Sequence, residues 1–226
     1  MIDGLRHPWV RLYFVDMFET AVERQVFRAE YTNGSMTEAE VLTVFRRSGA
    51  LLEGHFRLSS GLHSPGYLQC ALVLQHPREA EALGAALGNL VRPLGAVTVL
   101  SPALGGIVIG QEVGRALGIR AIFAERQDGA LSLRRGFALE PGEQVLVVED
   151  VVTTGGSTRE TMDVARAAGA LVVGACAIVD RSGGKQGLDV PFRALLPMEV
   201  TTYQPDACPL CQQGMPVVKP GSRAKA

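Results

Sequence analysis

The run Val145-Leu146-Val147-Val148-Glu149-Asp150-Val151-Val152-Thr153-Thr154-Gly155-Gly156-Ser157-Thr158 is the most informative stretch of the chain. Four consecutive apolar residues, three of them β-branched, describe a strand buried on both faces, as in a parallel sheet. Two carboxylates, Glu149 and Asp150, stand at its carboxyl end. A Thr/Gly/Ser loop then leads directly into a helical pattern over residues 157–168. Free backbone N–H groups, hydroxyls and the positive end of a helix therefore converge on one point, and such a point binds phosphate. Gly155 and Gly156 let the backbone approach a ligand, and Thr153, Thr154, Ser157 and Thr158 add hydroxyl donors.

On either side, short β-branched runs alternate with helical stretches. Strands are expected at 97–101, 120–124, 144–150 and 171–180, and helices at 77–92, 107–117 and 157–168, the first introduced by Pro77 and ended by Pro93 and Gly95. Alternation of this kind implies parallel pairing with right-handed crossovers. The expected fold is thus α/β, a doubly wound parallel sheet whose ligands bind beyond the carboxyl ends of its strands. Residues 55–74, rich in Ser and Gly with alternating apolar positions, read as an extended hood. Thr37 and Glu40 have capping-box spacing ahead of an amphipathic run, so the domain proper is expected to start near Met36. This divides the chain into an extension at 1–35, a domain at 36–200 that includes a hood at 36–75, and a tail at 201–226. A native extension and an upstream start codon both remain open for 1–35.

Composition narrows the function classes. With 226 residues, 47% hydrophobic and 20% charged, and a net charge of −1, the chain has the profile of an ordinary globular protein. It lacks the basic stripe of a nucleic-acid surface. No apolar run approaches the roughly 20 residues of a membrane span. Asp3, Arg6, His7, Arg11 and Asp16 interrupt any secretory-signal core, so the expected address is the cytoplasm. Four cysteines without dense spacing argue against a disulfide scaffold.

A phosphate cradle directly after two carboxylates suits a ligand with a phosphate at one end and hydroxyls at the other, as in ribose-5-phosphate. Glu149 and Asp150 would accept from the 2′- and 3′-hydroxyls. The bland alternative is a solvated strand end before a capped turn, at odds with the stability cost of an idle carboxylate pair beside a buried strand. Walker A is excluded by the missing Gly-Lys-[Ser/Thr] ending, and a dinucleotide fingerprint by the glycine spacing.

Residues 145–158 resemble the phosphoribosyl pyrophosphate (PRPP) motif of type I phosphoribosyltransferases. Phe56-Arg57-Leu58-Ser59-Ser60-Gly61-Leu62-His63-Ser64-Pro65-Gly66-Tyr67-Leu68 looks like the hood of the orotate-specific family. Ser101-Pro102-Ala103-Leu104-Gly105-Gly106-Ile107 falls where that family has its second Gly-containing loop, and Val179-Asp180-Arg181 where it has an arginine for the orotate carboxylate. The similarity spans about 36–182 and is nearest to a bacterial, Thermus-like branch. It implies transfer of ribose-5-phosphate from PRPP to orotate, with Mg²⁺ carried mainly by substrate oxygens, in a homodimer. It further implies PRPP binding by Glu149, Asp150, Val151, Val152, Thr153, Thr154, Gly155, Gly156, Ser157 and Gly105, and orotate binding by Thr153, Arg181, Tyr67 and Leu68. A guanidinium fork matches a carboxylate in charge and geometry. A surface role for Arg181 and core roles for Tyr67 and Leu68 stay open. So do a purine base as acceptor and a non-catalytic regulator that binds PRPP or a nucleotide.

The chain also departs from the family it resembles. Ser59, Gly105 and Gln127 stand where many members carry lysines, and the His-Gly element of the mobile loop is absent. Gln127-Asp128-Gly129 is a hairpin turn between extended arms, expected to form a β-hairpin lid. Its cations are Arg126, Arg134 and Arg135. The expectation is that at least one replaces the lysines at pyrophosphate, first Arg126, in a catalytic role beside Glu149 and Asp150, with Arg134 or Arg135 assisting. Solvated edge charges are the alternative. Cys208-Pro209-Leu210-Cys211 is half of a zinc site, but Cys70 and Cys176 lie in the hood and a core strand. Without a second pair, no protein-bound metal is expected.

Overall fold

The computed structural model describes residues 34–58 and 60–220. Most of the expected extension at 1–35, and Ser59, lie outside them. The described residues open with α1 (Glu38–Arg47), capped as its sequence requires: the Thr37 N–H donates to Glu40 Oε2 at 2.6 Å and the Glu40 N–H to Thr37 Oγ1 at 3.3 Å. A two-stranded antiparallel hood follows, β1 (Leu51–Arg57) and β2 (His63–Leu68), and then the short α2 (Cys70–Leu74). The main layer alternates α3 (Pro77–Val91), β3 (Thr98–Pro102), α4 (Gly105–Leu117), β4 (Arg120–Gln127), β5 (Ala130–Leu133), β6 (Gln144–Val152), α5 (Gly156–Ala167), β7 (Leu171–Asp180) and β8 (Phe192–Pro197). A last helical turn, α6 (Pro209–Gln212), lies in the tail.

The six-stranded sheet has the order β5-β4-β3-β6-β7-β8, parallel except for β5, which folds back on β4. From β3 the chain moves outward to β4; from β6 it moves the other way to β7 and β8. Beta3 and β6 are therefore the switch point, where the loops leaving two neighbouring strands diverge and open a crevice. The continuous apolar run of β6 has the cause its sequence implied. Leu146 and Val148 pack with Val99, Cys176 and Ile178 against Leu83 and Leu87 of α3 and Ile109 and Val113 of α4. Val145 and Val147 pack on the opposite face with Leu100 and Ala175 against Met162 and Ala165 of α5.

Several elements differ from the sequence reading. The extended segment expected over 55–74 begins earlier, at Leu51, and its last residues, 70–74, turn into α2, whose Cys70, Val73 and Leu74 are buried. Beta6 runs on through Val152, so the acidic pair lies inside the strand and its side chains take opposite faces. Beta4 continues to Gln127 and makes one arm of the hairpin; the tip residues Asp128 and Gly129 have φ of 49° and 90°, as a tight two-residue turn demands. Beta8, parallel to β7 at the sheet edge, was not anticipated.

The tail folds back onto the hood. The Arg57 N–H donates to Val218 O and the Val218 N–H to His55 O, both at 2.8 Å, while His63 and Tyr203 exchange backbone hydrogen bonds of 2.9 and 2.8 Å. Both edges of the two-stranded hood thereby gain partners, which satisfies backbone groups that would otherwise be left unpaired.

Candidate active site

Glu149, Val151, Val152, Thr153, Thr154, Gly155, Gly156, Ser157 and Thr158 enclose a polar cavity of about 60 Å³ at the carboxyl end of β6, room for a phosphate group. Gly155 caps α5 with φ 73°, and a Cβ there would lie 2.6 Å from Gln186 O. Only glycine fits both the left-handed backbone and the close approach of the loop after β7. That loop is fastened from below by Arg159, whose guanidinium donates to Gln186 O. Neither Gln186 nor Arg159 carried a sequence signal, because their contact is made across the end of the sheet.

Glu149 faces the cradle, and Asp150 faces the second loop. A Cβ at Gly105, the first residue of α4, would sit 2.8 and 2.9 Å from the two Asp150 carboxylate oxygens. A side chain at 105 would require the Asp150 carboxylate to shift. Glu149 is 7% exposed and accepts one long hydrogen bond, 3.3 Å, from the Asp150 N–H; Asp150 Oδ1 accepts from the Val151 N–H at 2.8 Å. Burial pushes the Glu149 carboxyl well above the usual range, and the adjacent Asp150 charge pushes it further. Burial raises Asp150 as well, against the opposing effect of its backbone hydrogen bonds. Neither carboxylate has a cationic partner among the described residues.

The base end of the crevice lies under the hood. The Arg181 N–H donates to Val152 O at 2.7 Å, which fixes the residue beside the end of β6. Its side-chain Nε is buried with no hydrogen-bond partner, and burial lowers the guanidinium's affinity for its proton. Tyr67 is half-buried; burial raises its phenol, and the Arg181 and Asp150 charges both reach it with opposite effects. Leu68 belongs to the main core cluster, as its alternative reading held. Cys70 is fully enclosed near the same groups; burial and then the Asp150 and Glu149 charges push its thiol up. Ser101 Oγ, at the end of β3, is also buried without a partner.

The hairpin arginines are less available than their sequence suggested. Arg126 makes a two-pronged ion pair with Glu160 of α5, at 3.0 and 2.6 Å, and also donates to Gly129 O. The Leu131 N–H donates to Glu160 Oε1 at 2.8 Å, which docks the hairpin on the helix that begins at the cradle. Arg135 is paired in the same forked manner with Glu125, at 2.8 and 2.7 Å. Arg134 is exposed and in no ion pair among the described residues.

A loop that presents hydroxyls, glycine backbone and a helix start beyond a buried acidic pair, at the switch point of a parallel sheet, defines a phosphoribosyltransferase. The family model described as "Phosphoribosyl transferase domain" matches residues 71–196. The chain is 54% identical over 191 residues to orotate phosphoribosyltransferase of Chlorobaculum parvum, covering 84% of this chain and 99% of the relative. It is 55% identical over 188 residues to the protein of that name from Pelotomaculum thermopropionicum, covering 83% and 99%. The fold is that of Mycobacterium tuberculosis orotate phosphoribosyltransferase, with a TM-score of 0.61, 24% identity, and coverage of 71% of this chain and 96% of that one. The chain belongs to the orotate phosphoribosyltransferase family.

Proposed function

We propose that this protein transfers ribose-5-phosphate from PRPP to N1 of orotate, giving orotidine 5′-phosphate and pyrophosphate, a step toward UMP. One observation carries this reading beyond the family: the partly buried guanidinium of Arg181, beside the end of β6, has a buried Nε with no hydrogen-bond partner. A buried donor without a partner is costly unless a ligand supplies one, and the carboxylate of orotate would do so.

The cradle at 153–157 holds the 5′-phosphate through backbone N–H groups and hydroxyls. As pyrophosphate leaves, positive charge grows on the ribose ring, and Glu149 and Asp150 stabilise it from fixed positions that need no reorganisation. Neither acts as a base, since orotate N1 attacks as an anion. The donor set fits Mg²⁺: two carboxylates are too few for a protein-only site but enough to complete one made mainly of substrate oxygens. Bound in that way, the ion neutralises the leaving diphosphate. The remaining countercharge falls to the hairpin arginines, with Arg134 best placed because Arg126 and Arg135 must first leave Glu160 and Glu125. A lid of this kind acts across the interface of a homodimer. The catalytic unit is residues 36–200, and the cytoplasm is its compartment; among the described residues no helix is long and apolar enough to cross a membrane.

The test is pyrophosphate release with orotate, uracil, adenine, hypoxanthine and xanthine in parallel. Release with orotate alone is expected. Equal or greater release with a purine would overturn the orotate reading, and binding of PRPP without release would make the protein a non-catalytic binder.

A further inference from the structure

At the hood, where the tail returns to it, four side chains converge that the proposed reaction does not use. His55 of β1 and His63 of β2 lie on neighbouring strands, and the tail brings Cys208 and Cys211 to them across more than 140 residues of chain. One ligand atom from each lies within 4.8 Å of every other. The separations are 2.9 Å for His55 Nε2 to His63 Nδ1, 3.5 Å for Cys208 Sγ to His55 Nε2, 3.8 Å for Cys211 Sγ to His55 Nε2 and 3.3 Å for Cys211 Sγ to His63 Nδ1. A tetrahedral zinc ion with its ordinary bond lengths needs edges of about 3.3 Å between nitrogens and about 3.6 Å between nitrogen and sulfur. Each of these four separations is within about half an ångström of the corresponding edge.

We propose that His55, His63, Cys208 and Cys211 form a structural Zn²⁺ site that fastens the C-terminal tail to the hood. The expectation of no metal rested on the lack of a second cysteine pair, and the two hood histidines take that pair's place. The orienting contacts are in place too. His55 Nδ1 lies 2.8 Å from Met215 O, so Nδ1 carries the proton, donates it to that carbonyl and leaves the Nε2 lone pair facing the cluster. Cys208 and Cys211 bracket the first turn of α6, the compact spacing in which two thiolates reach one ion. Three of the four residues are buried, and Cys211 is exposed at the rim, which provides an entry path. The charge balances: Zn²⁺ displaces one proton from each thiol, and two thiolates with two neutral imidazoles make a neutral, closed centre suited to burial. Two sulfurs and two nitrogens in a tetrahedron select zinc over the hard cations, and four protein ligands leave no open position for catalysis.

This site would give the tail a function. Beta2 ends one residue beyond Tyr67, so an ion held by His55, His63 and the tail stiffens the sheet that covers the base end of the crevice. The inference does not depend on which base is used.

The test is the zinc content of the full-length protein, purified without affinity metals or chelators, by inductively coupled plasma and native mass spectrometry. One zinc per chain is expected, falling below about 0.1 in Cys208→Ser and in Cys211→Ser, with Co²⁺ exchange giving the intense tetrahedral bands and thiolate charge transfer of an S₂N₂ site. Removing the metal should also open the tail beyond residue 200 to limited proteolysis. Wild-type protein with less than about 0.1 zinc that also fails to take up Co²⁺ with a thiolate band overturns the proposal, as does a native Cys208–Cys211 disulfide. Because the wild type alone decides the matter, a variant that fails to fold does not blur the result.

Discussion

Replacing Arg181 by Met keeps most of the aliphatic stem and removes only the guanidinium. In the free protein this should cost almost nothing. The Nε is buried without a partner, an arrangement worth about 1–3 kcal/mol of destabilisation, and the residue's backbone stays tied to Val152 O at 2.7 Å whatever its side chain. Thermal midpoint should therefore not fall by more than about 3 °C, about 1 kcal/mol for a chain of this length. With orotate bound the balance reverses. The fork offers two charge-assisted hydrogen bonds to the carboxylate in a site shielded from water, and truncating one partner of such a pair costs about 3–5 kcal/mol. At about 1.4 kcal/mol per decade, kcat/KM for orotate should fall by roughly 10²-fold to several thousandfold. KM for PRPP, whose phosphate sits in the cradle beyond the acidic pair, should change by no more than about threefold. Arg181→Lys keeps the charge without the fork and should fall between the two. The assay is initial-rate pyrophosphate release with each substrate varied at saturation of the other, alongside unfolding of the unliganded protein. A comparable loss for both substrates, or a clear drop in midpoint with orotate kinetics intact, would refute the reasoning, since Arg181 would then be structural.

Asp150→Asn removes a charge from the crevice without changing its shape, so turnover should drop at least about tenfold with an unaltered circular dichroism spectrum; a folded variant with normal kcat would remove Asp150 from the reaction. Burial raises the Glu149 carboxyl well above its unfolded value of about 4.3, so the native state binds its proton more tightly than the unfolded state does. The sign follows: unliganded stability from this group is greatest below the unfolded value and declines as pH rises through the native one. Glu149→Gln should flatten the midpoint-against-pH curve above pH 4.5 and raise the midpoint near neutrality; a curve superimposable on wild type would contradict this. Among the hairpin arginines, Arg134→Ala should raise KM for PRPP more than Arg126→Ala, whose exposed pair with Glu160 is worth about 0.2–1 kcal/mol and must break before Arg126 reaches a ligand. If all three alanine variants behave as wild type, the hairpin is structural and the leaving group depends on Mg²⁺ and the loop at Gly105.

What the sequence disclosed and what it withheld divide along a physical line. The strand at 144–152, the cradle and the helix after it are local: apolar period, glycine positions and helix start lie within fourteen consecutive residues. The hairpin turn at Asp128-Gly129 and the capping box at Thr37 were readable for the same reason. Beta8 was missed because Pro191 and Pro197 bracket it and Arg193 breaks its apolar run, features that an edge strand tolerates and a central strand does not. The pairing of Arg126 with Glu160 spans 34 residues and depends on where the hairpin lands on α5, which no spacing rule encodes. The zinc-type cluster was hidden more deeply. Its histidines sit eight residues apart across a β-hairpin and not at helical spacing, and they meet the cysteines only because the tail pairs with both hood edges.

The crevice itself is electrostatically incomplete. Glu149 is a buried acid and Asp150 a partly buried one, neither with a cation, and Arg181 is a partly buried cation whose buried Nε has no acceptor, yet among the described residues they do not neutralise one another. Had Asp150 and Arg181 formed an ion pair, the free protein would gain, and each substrate would have to break that pair before binding. Tyr67 lies close enough to feel both charges. On the proposed function, the arrangement leaves a negative pole for a ribose ring that becomes cationic and a positive pole for a base that arrives as an anion. Each pole is costly in the empty protein and is satisfied only when its own substrate part is present, so the same burial that weakens the free fold here supplies the selectivity.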